Sequence, residues 1–222
     1  MPSRRTWTIA GGVAALVVVG AVAGPLVYAA LEDDAPPAQT VQAQESDVPL
    51  TETTDGTWTI GPGSSAGYRV DEVLNGADVT VAGTTDQVTG SVVVAEGDLA
   101  SADVTVDVAS ITTDSDRRDS YFRDDVMEVD ANPTATFAVT DAVDLPELTG
   151  TPVTVPVAGT LTLHGVTQPV TVDLSVVRTA DGVQASGSIP VTFGDYDVTA
   201  PDLGFVSVED AGSVEFFLAL TQ

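Results

Sequence analysis

The sequence predicts an all-β domain of antiparallel strands over residues 57–222, with one short helix between two of the strands. Valine and threonine dominate the composition, and β-branched side chains favour strands because they pack well on a pleated surface. Apolar and polar residues alternate with a period of two, which predicts strands with one buried face and one face toward water. This pattern fits either a sandwich of two sheets or one sheet closed into a barrel.

The alternation is clear along most of the domain. In residues 102–109, for example, Val104, Val106 and Val108 fall on one face, with polar residues between them. Turn signals such as Ala180-Asp181-Gly182 separate the segments, as expected for short connections between antiparallel strands. The pattern is found in the following segments: 66–70, 102–109, 135–139, 161–163, 170–176, 189–193 and 213–220.

Residues 114–129 lack the period of two and are predicted to form the helix. Their apolar residues recur at the spacing of one helical face: Phe122, Val126 and Val129. Asp114 or Asp116 is expected to cap the amino-terminal end, and Pro133 to prevent the helix from continuing. We expect such a helix to lie across the mouth of a barrel.

The amino-terminal part of the chain predicts an exported, membrane-anchored protein. Residues 9–30 form a stretch of 22 residues without a charge, about the length that crosses a bilayer. Arg4 and Arg5 precede it and acids follow it, so residues 1–8 are expected to stay cytoplasmic and the rest to lie outside the cell membrane. The alternative is a cleaved signal peptide, which would leave the domain secreted.

Residues 31–56 are acidic, contain proline and glutamine, and have no apolar period. We interpret them as a disordered spacer, which leaves residues 57–222 as the folded domain. The chain has 33 acidic residues against 7 arginines and carries a net charge of −26, which argues against binding to nucleic acid. It contains no cysteine, so disulfides and thiolate chemistry are excluded.

Several segments, taken together in their order and spacing, resemble the YceI-like family. They cover nearly all of residues 57–221 and include the following: Asp107-Val-Ala-Ser-Ile-Thr-Thr-Asp, Arg118-Asp-Ser-Tyr-Phe-Arg, Met127-Glu-Val-Asp-Ala-Asn-Pro, and Val157-Ala-Gly-Thr-Leu-Thr-Leu-His-Gly-Val-Thr-Gln-Pro-Val.

The resemblance implies a lipocalin-like antiparallel barrel of about eight strands with an apolar interior. It also implies an isoprenoid ligand, such as a polyprenyl phosphate or a quinone lipid, with no catalytic residues and no other cofactor. This sequence departs from the family pattern at Asp71-Glu72 and at Val126-Met127. Both departures fall in the expected ligand region.

The candidate lipid-binding residues are the larger side chains that the alternation and the helical stripe turn inward: Tyr68, Val70, Phe122, Met127, Phe137, Leu161, Leu163, Phe193 and Phe216. Arg118 is added because a guanidinium at a barrel mouth can hold a phosphate head group. The competing interpretation of Arg118 is an ion pair with the acids around it on the helix.

No catalytic or metal site is predicted. His164 is the only histidine, and one histidine does not make a multi-histidine metal site or a recognisable triad. The predicted function is therefore extracytoplasmic binding or carriage of an apolar isoprenoid lipid. The alternative is a non-enzymatic surface interaction module without a small ligand. The oligomeric state is left open, with a homodimer as one option.

Overall fold

The computed structural model describes residues 34–45, 49–51, 54–74, 76–204 and 206–222. The predicted membrane segment, residues 9–30, lies outside them. In the part that is described, none of the helices has the length and apolar character needed to span a membrane. Eleven strands are found there: β1 (Gly56–Ile60), β2 (Ser65–Leu74), β3 (Ala77–Thr85), β4 (Val88–Ala95), β5 (Asp98–Asp107), β6 (Thr134–Val139), β7 (Val143–Asp144), β8 (Val153–Leu163), β9 (Val166–Arg178), β10 (Val183–Thr192) and β11 (Val206–Thr221).

Eight of these strands form a closed antiparallel barrel. The ring runs β1-β4-β5-β6-β8-β9-β10-β11, and β11 pairs back to β1. Closure rests on the pairs Thr59 with Thr221 and Ile60 with Leu220, while Trp58 of the same strand is paired with Val92 of β4. The predicted barrel is confirmed. The sandwich alternative is wrong, because a sheet that closes on itself covers its own apolar face.

The remaining long strands, β2 and β3, form a hairpin that extends the wall at one end of the barrel. The 16-residue strand β11 makes this possible because its last residues pair with β1, while residues from Val206 to Phe217 pair with β2. The short strand β7 pairs with β5 near the other end.

The helix lies between β5 and β6, as predicted, but it is shorter than expected and differently capped. It consists of α1 (Asp116–Tyr121), followed by a π-helical turn at Phe122–Val126. Ser115, rather than Asp114 or Asp116, is the N-cap residue, and its hydroxyl accepts a hydrogen bond from the Arg118 N–H. A hydroxyl caps as well as a carboxylate does, so the sequence alone could not distinguish these neighbours.

The carboxylate of Asp119 holds the start of the helix in place. This residue is 4% exposed, and it accepts hydrogen bonds from the backbone N–H of Thr113 at 2.8 Å and from the hydroxyl of Thr113 at 2.7 Å. Two donors on one buried carboxylate compensate for the loss of its hydration.

Residues 34–45 and 49–51, here called the strap, lie along the outer wall of the barrel instead of forming the flexible spacer that was expected. Ala35 donates to the carbonyl of Thr80 at 2.8 Å, and Gln44 donates to the carbonyl of Gly150 at 2.7 Å. Between these ends Val41 is buried with Val177 and Phe217, two side chains on the outer face of the sheet. An acidic, proline-bearing composition does not reveal this contact, because only the folded barrel brings Val177 and Phe217 together.

The strap gives a first prediction. Val41→Asp places a charge in the apolar contact with Val177 and Phe217, so we expect the strap to detach and the midpoint of thermal unfolding to fall by about 5 °C. Ala43→Asp adds the same charge at an exposed strap position and is expected to leave the midpoint unchanged. Circular dichroism melting and limited proteolysis of both variants test this. If the two variants have the same unfolding midpoint and the same rate of cleavage, the contact of the strap contributes nothing to the stability of the barrel.

Candidate functional site

The mouth of the barrel, on the side of α1, contains the larger of two described cavities. Its volume is about 650 Å³, within the range of ~300–1,000 Å³ that is usual for small-molecule sites. Its wall is formed by β2, by α1 and the π turn, and by the segment from Val198 to Leu203. Most of this wall is apolar, and the charged side chains in it are Glu72, Arg117 and Arg118.

A second cavity of about 110 Å³ lies deeper in the barrel and is lined by apolar surface alone. Its wall includes Trp58, which is 2% exposed. The indole N–H of Trp58 donates to the carbonyl of Thr54 at 2.8 Å, so the ring presents carbon to the interior. Four residues line both cavities: Ala66, Val106, Ala135 and Val214. The two cavities therefore follow each other along one apolar wall.

Three inward-facing aromatic rings lie directly over glycines of the adjacent strand. A Cβ atom placed on Gly83 would be 2.5 Å from the ring of Tyr68. Gly159 stands in the same relation to Phe137, at 2.5 Å, and Gly187 to Phe216, at 2.7 Å. Each ring thus occupies the space that a side chain at the glycine position of the adjacent strand would otherwise take. These rings cover the wall instead of crossing the interior, which helps to keep the cavities open.

All ten predicted site residues line one of the two cavities, although this does not test whether they bind a lipid. Those at the mouth are Tyr68, Val70, Arg118, Phe122, Met127, Leu163 and Phe193. Those in the inner cavity are Phe137, Leu161 and Phe216. For the residues on strands, the alternation identifies the inward face because successive side chains point to opposite faces of a sheet. A shift of one residue would have turned each set outward.

The rings of Tyr68 and Phe122 attach the π turn to the barrel. Their centroids are 4.7 Å apart with an interplanar angle of 23°, a stacked arrangement that adds to the burial of apolar area. Below them, Val108, Ile111 and Met127 form a small buried cluster. The helix is therefore held across the mouth by apolar contacts.

A chain of charges crosses the mouth beside these rings. Arg118 lies 3.7 Å from the Oε1 atom of Glu72 and 2.5 Å from the Oδ1 atom of Asp114. Glu72 is 5% exposed. Burial by itself would lower the pKa of Arg118, but Glu72 and Asp114 outweigh this effect and raise that pKa above its ordinary value. Of the two interpretations of Arg118, the ion pair with neighbouring acids is the one that the structure contains.

Glu72 was missed as a site residue although the sequence carried a signal for it. It follows Tyr68 and Val70 at even spacing on β2 and precedes Leu74, so the alternation alone places its carboxylate on the inner face. A charged residue in an otherwise apolar row is the informative feature. The segment from Val198 to Leu203 also lines the mouth, but its sequence has no alternation that would indicate an inward face.

His164 lies at the hairpin between β8 and β9, away from the chain of charges. Its backbone has φ of +49° and that of Gly165 has φ of +76°, as the tight turns that match strand twist require. Its Nε2 atom is 3.5 Å from the carboxylate of Glu128. Within the described ranges, no cluster of three or more His, Asp or Glu side chains is arranged to hold a metal ion.

Comparison with known proteins identifies the family. Residues 58–220 match the YceI-like domain, which is most of the chain. The chain belongs to the YceI-like family. It is also 34% identical over 113 residues to a UPF0312 protein of Pseudomonas aeruginosa, a match that covers 48% of this chain and 56% of that protein. The matched part thus spans little more than half of that relative's length.

Two solved structures share the fold. A polyisoprenoid binding domain from Saccharophagus degradans, implicated in plant cell wall breakdown, superposes with a TM-score of 0.61 at 24% identity, covering 74% of this chain and 97% of that one. BcnA from Burkholderia cenocepacia superposes with a TM-score of 0.57 at 22% identity, covering 75% and 96%. At this level of identity the likeness establishes the barrel alone.

Tyr68 gives a pH prediction for this YceI-like barrel. Burial raises the pKa of Tyr68 from 10.0 to about 12, so the folded state keeps the proton after the unfolded chain has lost it. The contribution of Tyr68 to the free energy of unfolding is therefore fully present below pH 10 and is lost as the pH rises from 10 to about 12. We expect a loss on the order of 2 kcal/mol in the wild type, and a much smaller loss in Tyr68→Phe.

Urea unfolding at pH 9 and near pH 12 measures this difference. Tyr121→Phe, which alters an exposed tyrosine at the end of α1, is the control and is expected to lose as much stability as the wild type. If Tyr68→Phe also loses as much, the phenol of Tyr68 is not the group responsible.

Proposed function

We propose that this protein binds an apolar lipid of the isoprenoid type, with its chain along the barrel interior and its head at the mouth. The proposal is carried by the succession of the two cavities, from a mouth with a few polar groups to an apolar inner cavity whose wall includes Trp58. A long ligand with one polar end matches this arrangement. A compact polar metabolite would leave the inner cavity without a partner.

Energetics favour a hydrocarbon chain. Each methylene group transferred from water into such a cavity contributes about 0.8 kcal/mol, so several prenyl units bind without any hydrogen bond in the interior. Valine, alanine and leucine make up most of the inner wall. These side chains offer an apolar chain broad contact and no directional preference, which suits a flexible, repetitive ligand.

Binding, rather than catalysis, is the function that these residues support. In the described part of the chain, the inner cavity presents apolar surface, and the charged groups Glu72 and Arg118 at the mouth are paired with each other. A reactive site would need a nucleophile or a base directed at the ligand. The Saccharophagus degradans relative, which shares this barrel, is itself a polyisoprenoid binding domain, and this supports the same ligand class here.

We further propose that the domain works outside the cytoplasm, next to the membrane. In this proposal residues 9–30 stay in the membrane as an anchor, with the domain secreted instead if that segment is cleaved. Asp34 accepts a hydrogen bond from the backbone N–H of Thr80 on β3, and the neighbouring Val81 lines the mouth cavity. Only residues 31–33 would separate anchor and barrel, a reach of about 15 Å. Such a short connection would hold the mouth near the bilayer that supplies the lipid.

The test is a pair of variants on one strand of the barrel. Ala135 lines both cavities, so Ala135→Trp is expected to block the passage between them and to remove most of the lipid that copurifies. Ala138 lies on the opposite face of β6, so Ala138→Trp serves as the matched control and should retain the lipid.

The measurement is mass spectrometry of organic extracts from the full chain, purified without added lipid. Prenyl lipid in the wild type and in Ala138→Trp, reduced about tenfold in Ala135→Trp, supports the proposal. If the wild type carries no prenyl lipid, or if both variants carry as much as it does, the barrel interior is not the binding site.

A further inference from the structure

The charges at the mouth bear on which lipid head groups the cavity accepts. Among the described residues, Arg118 is the only positively charged side chain of the mouth that is partly buried. It lies between the carboxylates of Glu72 and Asp114. The side chain of Glu72 is 6% exposed and that of Arg118 is 23% exposed. The cation is therefore compensated within the protein before any ligand arrives.

The Tyr68 hydroxyl lies among the same charged groups of the mouth. Three carboxylates, those of Asp119, Glu72 and Asp114, act on this group, against the single guanidinium of Arg118. Burial is the largest cause of the raised pKa of Tyr68, and the guanidinium of Arg118 is the largest single charge acting on its hydroxyl, opposed by the three carboxylates. Tyr68 lines the mouth cavity, and its neutral phenol can donate a hydrogen bond to a ligand oxygen.

Arg117 also lines the mouth but does not reverse this balance. Its side chain is exposed on α1 next to Asp116, and an exposed guanidinium in water gains little from pairing with an anion. The chain as a whole carries a net charge of −26, which adds repulsion toward an approaching anion. Binding of a phosphate normally relies on clustered cations that are not already neutralised.

We propose that the mouth selects prenyl lipids with an uncharged, oxygen-bearing head, such as an alcohol or a quinone, and discriminates against their phosphates. A neutral oxygen accepts a hydrogen bond from Tyr68 or Arg118 without disturbing the pair between Arg118 and Glu72. A phosphate would have to compete with two carboxylates for Arg118 and would lose much of its hydration beside them. This inference rests on the proposed function and specifies the ligand class for the same cavity.

The experiment compares two ligands with the same hydrocarbon chain, geranylgeraniol and geranylgeranyl monophosphate, by equilibrium dialysis against the full chain. We expect the alcohol to bind at least tenfold more tightly than the phosphate, and a tenfold preference corresponds to about 1.4 kcal/mol. If the phosphate binds as tightly as the alcohol, or more tightly, the inference is overturned while the proposed function stands. If neither ligand binds, the proposed function itself fails.

A charge variant tests the cause. Glu72→Gln keeps the shape of the side chain and removes one carboxylate from the mouth, so the preference for the alcohol should shrink by about tenfold. Asp116→Asn removes the same charge from an exposed position of α1 that does not line the cavity, and it should leave the preference unchanged. Equal shifts in the two variants would mean that overall charge, and not the mouth, sets the selectivity.

Discussion

The pairing of β1 with strands on both of its sides is the constraint on which the rest of the structure depends. This strand of five residues joins β4 on one side and the end of β11 on the other. Because the ring is closed, its eight strands have no free edge, and the alternating apolar residues face one another across an interior. An open sheet with the same sequence would need a second layer to cover that face.

Closure makes an interior, but the side chains determine whether it stays open. An eight-stranded barrel is just wide enough for side chains to fill it or for one small ligand to be held. Here the wall consists mainly of small and medium residues, and the rings of Tyr68, Phe137 and Phe216 lie over glycines. At the mouth the low-dielectric wall makes isolated charges costly, so Glu72 and Arg118 are paired. The apolar interior and the compensated mouth thus follow from the same restricted space.

The sequence predicts local features of this fold well and long-range ones poorly. Alternation along β5, β9 and β11 identifies the inward faces, since side-chain direction depends only on neighbouring residues. The choice between sandwich and barrel depends on pairs such as Ile60 with Leu220, which no local pattern encodes. The resemblance to a known family supplied that choice. The burial of Val41 and the pairing of Glu72 with Arg118 were missed for the same reason, because their partners are distant in sequence.

The most direct test of the central claim is whether a bound prenyl chain reaches Trp58. The chain has two tryptophans, so Trp7→Phe leaves Trp58 as the single reporter. We would titrate this variant with a prenyl alcohol that carries bromine at the far end of its chain, because bromine quenches tryptophan fluorescence on contact. We predict saturable quenching of Trp58. Saturable binding without any change in Trp58 emission would contradict it, since the ligand would then lie outside the barrel interior.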